Sequence, residues 1–178
     1  MSATTAGAAA FRPLTLADVR RVAESVTDPE MPMLTLADLG VLREVELAGS
    51  GAVRVTLTPT YSGCPAMATM RDDLVRVLTE AGVAEVEVRV SLHPAWSSDW
   101  ITEHGRARLR AHGISAPAPV RPHAGPIPLS LLPTRRELVC PRCGSARTEL
   151  TSEFGATACK ALYRCLACGE PFDHVKEI

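Results

Sequence analysis

Apolar residues first recur at helical spacing behind Thr15. Leu16, Val19, Val22, Ala23 and Val26 share one face, and the Thr15 hydroxyl suits an N-cap. Asp28-Pro29-Glu30-Met31-Pro32 ends that pattern with two prolines and predicts a rigid loop. Asp38-Leu39-Gly40 then leads into a strand with Val41, Val45 and Leu47 on one side and Arg43 interrupting the alternation. Ala48-Gly49-Ser50-Gly51 reads as a hairpin turn. Beyond it Val53, Val55 and Leu57 alternate with Arg54, Thr56 and Thr58, the signature of a half-buried strand. A loop, Pro59 to Gly63, runs into Cys64-Pro65, and proline favours the first helical position. The pattern therefore predicts a helix with Cys64 at or next to its N-cap, with Met67, Met70, Leu74, Val77, Leu78 and Ala81 facing inward and Gly82 as its stop. Val86, Val88, Val90 and Leu92 predict a third strand, and a short polar helix ends at Gly113. The order helix, two strands, helix, strand, helix predicts an α+β domain: a small sheet of about three strands with helices on one face.

Composition shifts divide the chain further. Residues 1–12 are rich in Ala, Thr and Gly, lack the basic start and apolar run of an export signal, and read as a disordered tail. The α+β domain covers 13–115. Six prolines fall between residues 115 and 136 without periodicity, so 116–136 reads as an extended Pro-rich linker. Residues 137–178 are too few to bury a sufficient core unaided and call for a staple.

That staple is visible in the cysteines. Cys140-Pro141-Arg142-Cys143-Gly144 and Cys165-Leu166-Ala167-Cys168-Gly169 are matched knuckles, 21 residues apart, a spacer long enough for a β-hairpin. Two such pairs offer four sulfurs in a closed tetrahedral set, which suits structural zinc in a ribbon-like β module. Four thiolates also hold rubredoxin-type iron, which would make the chain an electron carrier.

Cys64 is the second chemical signal. A thiol at a helix N-terminus is expected to have a lowered pKa and to serve as a nucleophile or soft-metal ligand; the bland reading is a small buried residue. Cys159 reads as a packed residue of the ribbon or as an auxiliary ligand shared with Cys64 across the two units. Asp28, Glu30 and Asp38 read as turn and cap chemistry, or as carboxylates orienting a metal or partner beside Cys64. Trp96 and Trp100, the chain's two tryptophans, are candidate partner contacts or core closures.

Charge and absences narrow the function. The net charge is -1, and residues 137–178 carry five basic and six acidic groups, which argues against a nucleic-acid clamp. No apolar run approaches the ~20 residues of a membrane span. Metal-type cysteines without an export signal indicate a reducing cytoplasm. No phosphate loop, zinc-protease helix, di-iron helix pair or nucleophile elbow is present, so no catalytic constellation emerges.

Asp28-Pro29-Glu30, Asp38-Leu39-Gly40 and Thr58-x5-Cys64-Pro65 together resemble the SufT-like domain of iron–sulfur assembly factors. Joined to a four-cysteine module through Pro94-Ala95-Trp96-Ser97-Ser98-Asp99-Trp100-Ile101, the chain resembles the D subunits of bacterial phenylacetyl-CoA epoxidases over nearly its whole length. The resemblance implies a required accessory subunit in aerobic phenylacetate breakdown that is not itself the enzyme, other subunits carrying the oxygenase and reductase centres. It implies assembly or repair of an iron or iron–sulfur centre, with the cysteine matching Cys64 handling the metal. One thiolate cannot hold a cluster alone, so Cys64 would need a homodimer, a partner protein or a small thiol.

Overall fold

A computed structural model describes residues 14–48, 52–120 and 138–178. The N-terminal tail, most of the Ala48–Gly51 turn and most of the Pro-rich linker lie outside the described residues.

The α+β expectation holds. Helix α1, Leu16–Glu24, starts from Thr15 with a full capping box: Asp18 N–H donates to the Thr15 hydroxyl, and the Asp18 carboxylate accepts from the Thr15 backbone. Strands β1, Leu42–Leu47, and β2, Val53–Leu57, pair antiparallel. The interruption expected at Arg43 is a bulge between Leu42 and Glu44, which leaves Val45 inside and Leu47 exposed. Helix α2, Met67–Glu80, crosses over to β3, Val86–Val90, which pairs parallel with β2. The sheet order is β1-β2-β3. Central strand β2 buries Val53, Val55 and Leu57 completely, contributing about 1.5–3 kcal/mol per side chain. Edge strand β3 is less covered than its alternation suggests, with Val90 and Leu92 half exposed.

Gly82 ends α2 at φ +100 and Gly113 follows α3, Glu103–Ala111, at φ +75. Gly40 is needed twice over: its φ is +69, and a Cβ there would lie 2.5 Å from the Trp100 Cβ.

The C-terminal unit is a second three-stranded antiparallel sheet: β4, Thr148–Ser152, β5, Lys160–Cys165, and β6, Pro171–Val175, in the order β4-β5-β6. Its own core is small: Leu138, Cys140, Ala161, Tyr163, Cys165 and Phe172.

The two units are packed together. Ser115, just past α3, forms a parallel bridge with His174 of β6, with Ser115 N–H donating to Asp173 O and Val175 N–H donating to Ser115 O. The Val175 side chain belongs to the core of the first domain. The C-terminal residue is also held, since Ser98 N–H donates to Ile178 O at 3.0 Å. Among the described residues, no helix is long and apolar enough to cross a membrane.

Candidate metal centre and the seam beside Cys64

Each knuckle is built by its backbone. Gly144 N–H donates to Cys140 O and Gly169 N–H to Cys165 O, both at 2.9 Å, closing two equivalent turns. Both glycines take positive φ, +74 and +79, with nothing near a would-be Cβ. The four sulfurs of Cys140, Cys143, Cys165 and Cys168 all lie within 4.8 Å of one another. Cys143 and Cys165 are 3.5 Å apart and Cys140 and Cys168 are 3.9 Å apart. A tetrahedron with metal–sulfur bonds of ~2.3 Å has edges of about 3.8 Å, so the donor set fits zinc. The N–H groups of Cys168 and Ala167 lower the Cys165 thiol to about 6. The Ser145 N–H favours the Cys143 thiolate, but the crowded sulfurs of Cys165, Cys168 and Cys140 outweigh it and push that thiol up to about 12. A cation at the centre relieves this crowding by letting every sulfur ionise.

Cys64 departs from expectation. Helix α2 begins at Met67, so Cys64 stands in the turn before it, with Cys64 N–H donating to Tyr61 O and Met67 N–H to Cys64 O. The helix field fades outside the first turn. Cys64 is half-buried against the first domain's core. Burial pushes its thiol up, the Ala66 N–H opposes, and the charges of Glu30, Asp28 and Cys159 push it further up. The lowered pKa expected from a helix N-terminus is therefore absent, because desolvation and neighbouring anions dominate.

The same relations locate the other candidates. Asp28 is buried, and its Oδ1 accepts from Glu30 N–H at 2.8 Å and Met31 N–H at 2.7 Å, so it is the Asx turn the prolines suggested. Burial nonetheless raises its carboxyl above the usual range, and burial and Asp28 raise Glu30. Cys159, just before β5, is buried and contacts the Thr157 hydroxyl at 3.1 Å; burial raises its thiol and Glu30 raises it further. The charges of Glu30, Asp28 and Cys159 thus all bear on the Cys64 thiol.

Asp38 does not join them. It is tied to α3: Thr102 Oγ1 donates to Asp38 Oδ1 at 3.1 Å and His104 Nδ1 lies 2.8 Å from the same oxygen. Burial would raise its carboxyl, but the bonds from His104, Thr35 and Thr102 hold it below the usual range. It joins the Thr35–Gly40 turn to the third helix rather than serving Cys64.

Trp96 turns inward and donates from Nε1 to Leu39 O at 2.9 Å. It is a core residue and presents no surface to a partner. Trp100 is half-buried under the Arg43 guanidinium, 3.5 Å above its ring.

One residue whose charge acts on these groups, Lys160, carries no local signal in the sequence. Lys160 is buried and pairs with Asp173 at 3.4 Å, and its charge partly opposes the rise of the Asp28 and Glu30 carboxyls. Tyr61 stands in the approach loop, its phenol raised by desolvation and then by Cys64, Cys159 and Glu30.

Comparison with known proteins agrees with this construction. Residues 16–90 match the family described as iron-sulfur cluster assembly protein, and residues 126–176 match the PaaD zinc beta ribbon domain. A protein of Escherichia coli, provisionally named as the D subunit of 1,2-phenylacetyl-CoA epoxidase, is 45% identical over 94% of this chain and 96% of its own. The chain belongs to the family of phenylacetyl-CoA epoxidase D subunits. Its first domain is also similar to an Fe-S protein maturation auxiliary factor of Porphyromonas gingivalis, 32% identical over 52% of this chain and 88% of that protein. A solved domain of unknown function, DUF59, from Bacillus anthracis aligns at 27% identity and a TM-score of 0.49, covering 52% of this chain and 89% of that one.

Proposed function

We propose that this protein is a non-catalytic accessory component of a cytoplasmic phenylacetyl-CoA epoxidase system, and that it assembles or maintains an iron or iron–sulfur centre in the oxygenase or reductase. The other subunits of that system are its partners, and nucleic acid and membrane are not. The observation that carries this reading is Cys64: a half-buried thiol on the turn before α2, with acidic groups acting on it and, among the described residues, without a hydrogen-bonded histidine base. Such a thiol is a poor nucleophile at neutral pH, since its neighbours hold the proton on. A soft cation reverses this, because it displaces the proton and is attracted by the same carboxylates. Iron or a cluster is then cargo, taken up and released, and the closed four-cysteine zinc site holds the ribbon in shape.

The deciding experiment co-expresses the other subunits with wild-type protein or with Cys64→Ala. Iron content and epoxidase activity of the purified oxygenase and reductase should fall together in the variant. Full metal loading with Cys64→Ala overturns the assembly role of that thiol. The electron-carrier reading needs iron at the ribbon, so one zinc per chain in a colourless protein removes it.

A further inference from the structure

The two sheets have four edges among the described residues, and three of them are interrupted. β1 carries the bulge between Leu42 and Glu44, β4 has an irregular step between Leu150 and Ser152, and β6 begins at Pro171 and is bridged by Ser115. Such interruptions deter an edge from pairing with another chain. β3 has none. Val86-Glu87-Val88-Arg89-Val90 runs in unbroken register with β2, without proline or glycine, and among the described residues its other edge pairs with nothing. Val90 and the following Leu92 are each half exposed.

The ladder with β2 fixes which groups that edge offers. Val53 N–H donates to Glu85 O at 2.9 Å, and Ser91 N–H donates to Leu57 O at 2.8 Å. Alternate residues of a strand turn their N–H and C=O to the same neighbour, so Glu87 and Arg89 serve β2. The N–H and C=O groups of Val86, Val88 and Val90 therefore point away from the sheet. Side chains alternate as well. Val86 and Val88 pack on the core, while Glu87 and Arg89 share the opposite face, where Arg89 Nε donates to Glu87 Oε1 at 2.6 Å.

From this edge we infer that two copies of the chain join β3 to β3, antiparallel about a two-fold axis at Val88, making one continuous sheet from the three strands of each. Val88 then meets its own copy and Val86 meets Val90, as hydrogen-bonded pairs that supply about six bonds between the chains. Glu87 faces Arg89 of the second copy on both sides of the axis, at positions without backbone bonds, where side chains lie closest. Charge selects this register. Moving the axis to Glu87 or to Arg89 uses the same backbone groups but sets Glu87 against Glu87, or Arg89 against Arg89. A charge on an edge ordinarily deters pairing, yet these two opposite charges are self-complementary about Val88.

The inference goes beyond the assembly reading and does not depend on it. β2 runs parallel to β3, so the two β2–α2 connections leave the joined sheet at opposite ends, each with its own Cys64. The dimer thus doubles the Cys64 sites and does not merge them. A single strand edge is small beside a stable interface, so the association should be reversible and concentration-dependent.

The test uses full-length, zinc-loaded protein. Sedimentation equilibrium of wild type should show monomer and dimer in exchange. Glu87→Arg and Arg89→Glu each set like charges across the axis and should weaken self-association by roughly 10-fold or more. Mixed in equal amounts, the two variants should recover the wild-type affinity, because every cross-strand charge pair between them is again of opposite sign. Thermal unfolding checks that each variant is folded. Amide exchange in wild type needs no variant: the Val86, Val88 and Val90 amides should slow as concentration rises, while those of Glu87 and Arg89, bonded to β2, stay protected throughout. A monomer up to about 1 mM, a dimer that neither variant weakens, or exchange at Val88 that ignores concentration overturns the pairing. No recovery on mixing overturns the Val88 register. Protection of Val88 that appears only on adding other epoxidase subunits overturns the second copy as occupant and gives the edge to one of them.

Discussion

The seam between the two units is held by His174, and removing its ring tests the whole arrangement. The imidazole is fully buried. Its Nδ1 lies 3.2 Å from the Ser115 hydroxyl, a bond contributing about 1 kcal/mol. Its edge meets Tyr163 with centroids 5.8 Å apart at 87°, adding about 0.5–1 kcal/mol. Nε2 stands 3.4 Å from Glu177 Oε1, an ion-pair distance rather than an aligned hydrogen bond. Burial would raise the Glu177 carboxyl, yet His174, with the Ala118 N–H and its own N–H, lowers it from 4.5 to about 2. That whole displacement corresponds to about 3.4 kcal/mol. The backbone donors share it and water reaches the carboxylate, so about 1 kcal/mol falls to His174. The vacated ring volume costs another ~1–2 kcal/mol. His174→Ala should therefore destabilise the zinc-loaded protein by about 4 kcal/mol, a large part of a typical domain's stability. Chemical denaturation measures the total, and hydrogen exchange at the Ser115 and Val175 amides places it, since both amides bond across the seam. The pH dependence follows from the sign of the Glu177 shift. Its contribution is present in full above pH 4.5 and is lost as pH falls from there through about 2. In His174→Ala that acid loss should shrink. A loss below about 1 kcal/mol, with both amides as protected as in wild type, would refute the idea that this histidine fastens the ribbon.

Other outcomes follow from the same geometry. Cys140→Ser, or zinc chelation, should unfold the ribbon by removing on the order of 10 kcal/mol of binding energy while helices α1 and α2 persist; circular dichroism and zinc content check both parts. Alkylation of Cys64 should be slow at neutral pH and rise through a midpoint above that of an ordinary thiol, and Glu30→Gln should speed it at fixed pH because one opposing charge is gone. Mass spectrometry of the modified peptide follows the rate, and a rate unchanged by Glu30→Gln would contradict the influence of that carboxylate on the thiol. Gly40→Ala should cost at least ~2 kcal/mol, combining a left-handed alanine with a collision against Trp100, and the midpoint of thermal unfolding should fall accordingly.

Much of this protein is written locally in its sequence. The Thr15 cap, the alternation of Val53, Val55 and Leu57, the glycine stop at Gly82 and the two cysteine knuckles are short-range patterns. Their physics operates within a few residues: a capping bond, a two-residue pleat, a positive φ, a turn that aims two sulfurs at one point. Periodicity therefore sufficed for the elements, and spacing for the zinc site. Other features depended on what lies across the fold. Whether Cys64 gains or loses acidity turned on burial and on Asp28, Glu30 and Cys159, of which Cys159 is 95 positions away in the numbering. That Trp96 is core and Trp100 half-covered, that Asp38 serves the third helix, and that Leu47 and Val90 stay exposed depended on which surfaces the neighbouring elements occupy. The ribbon's contact with the first domain depended on Ser115 meeting His174 and on Val175 entering a core formed by residues far earlier in the chain. Desolvation and electrostatic coupling are properties of the assembled volume, so only the tertiary structure could decide the acidity of Cys64.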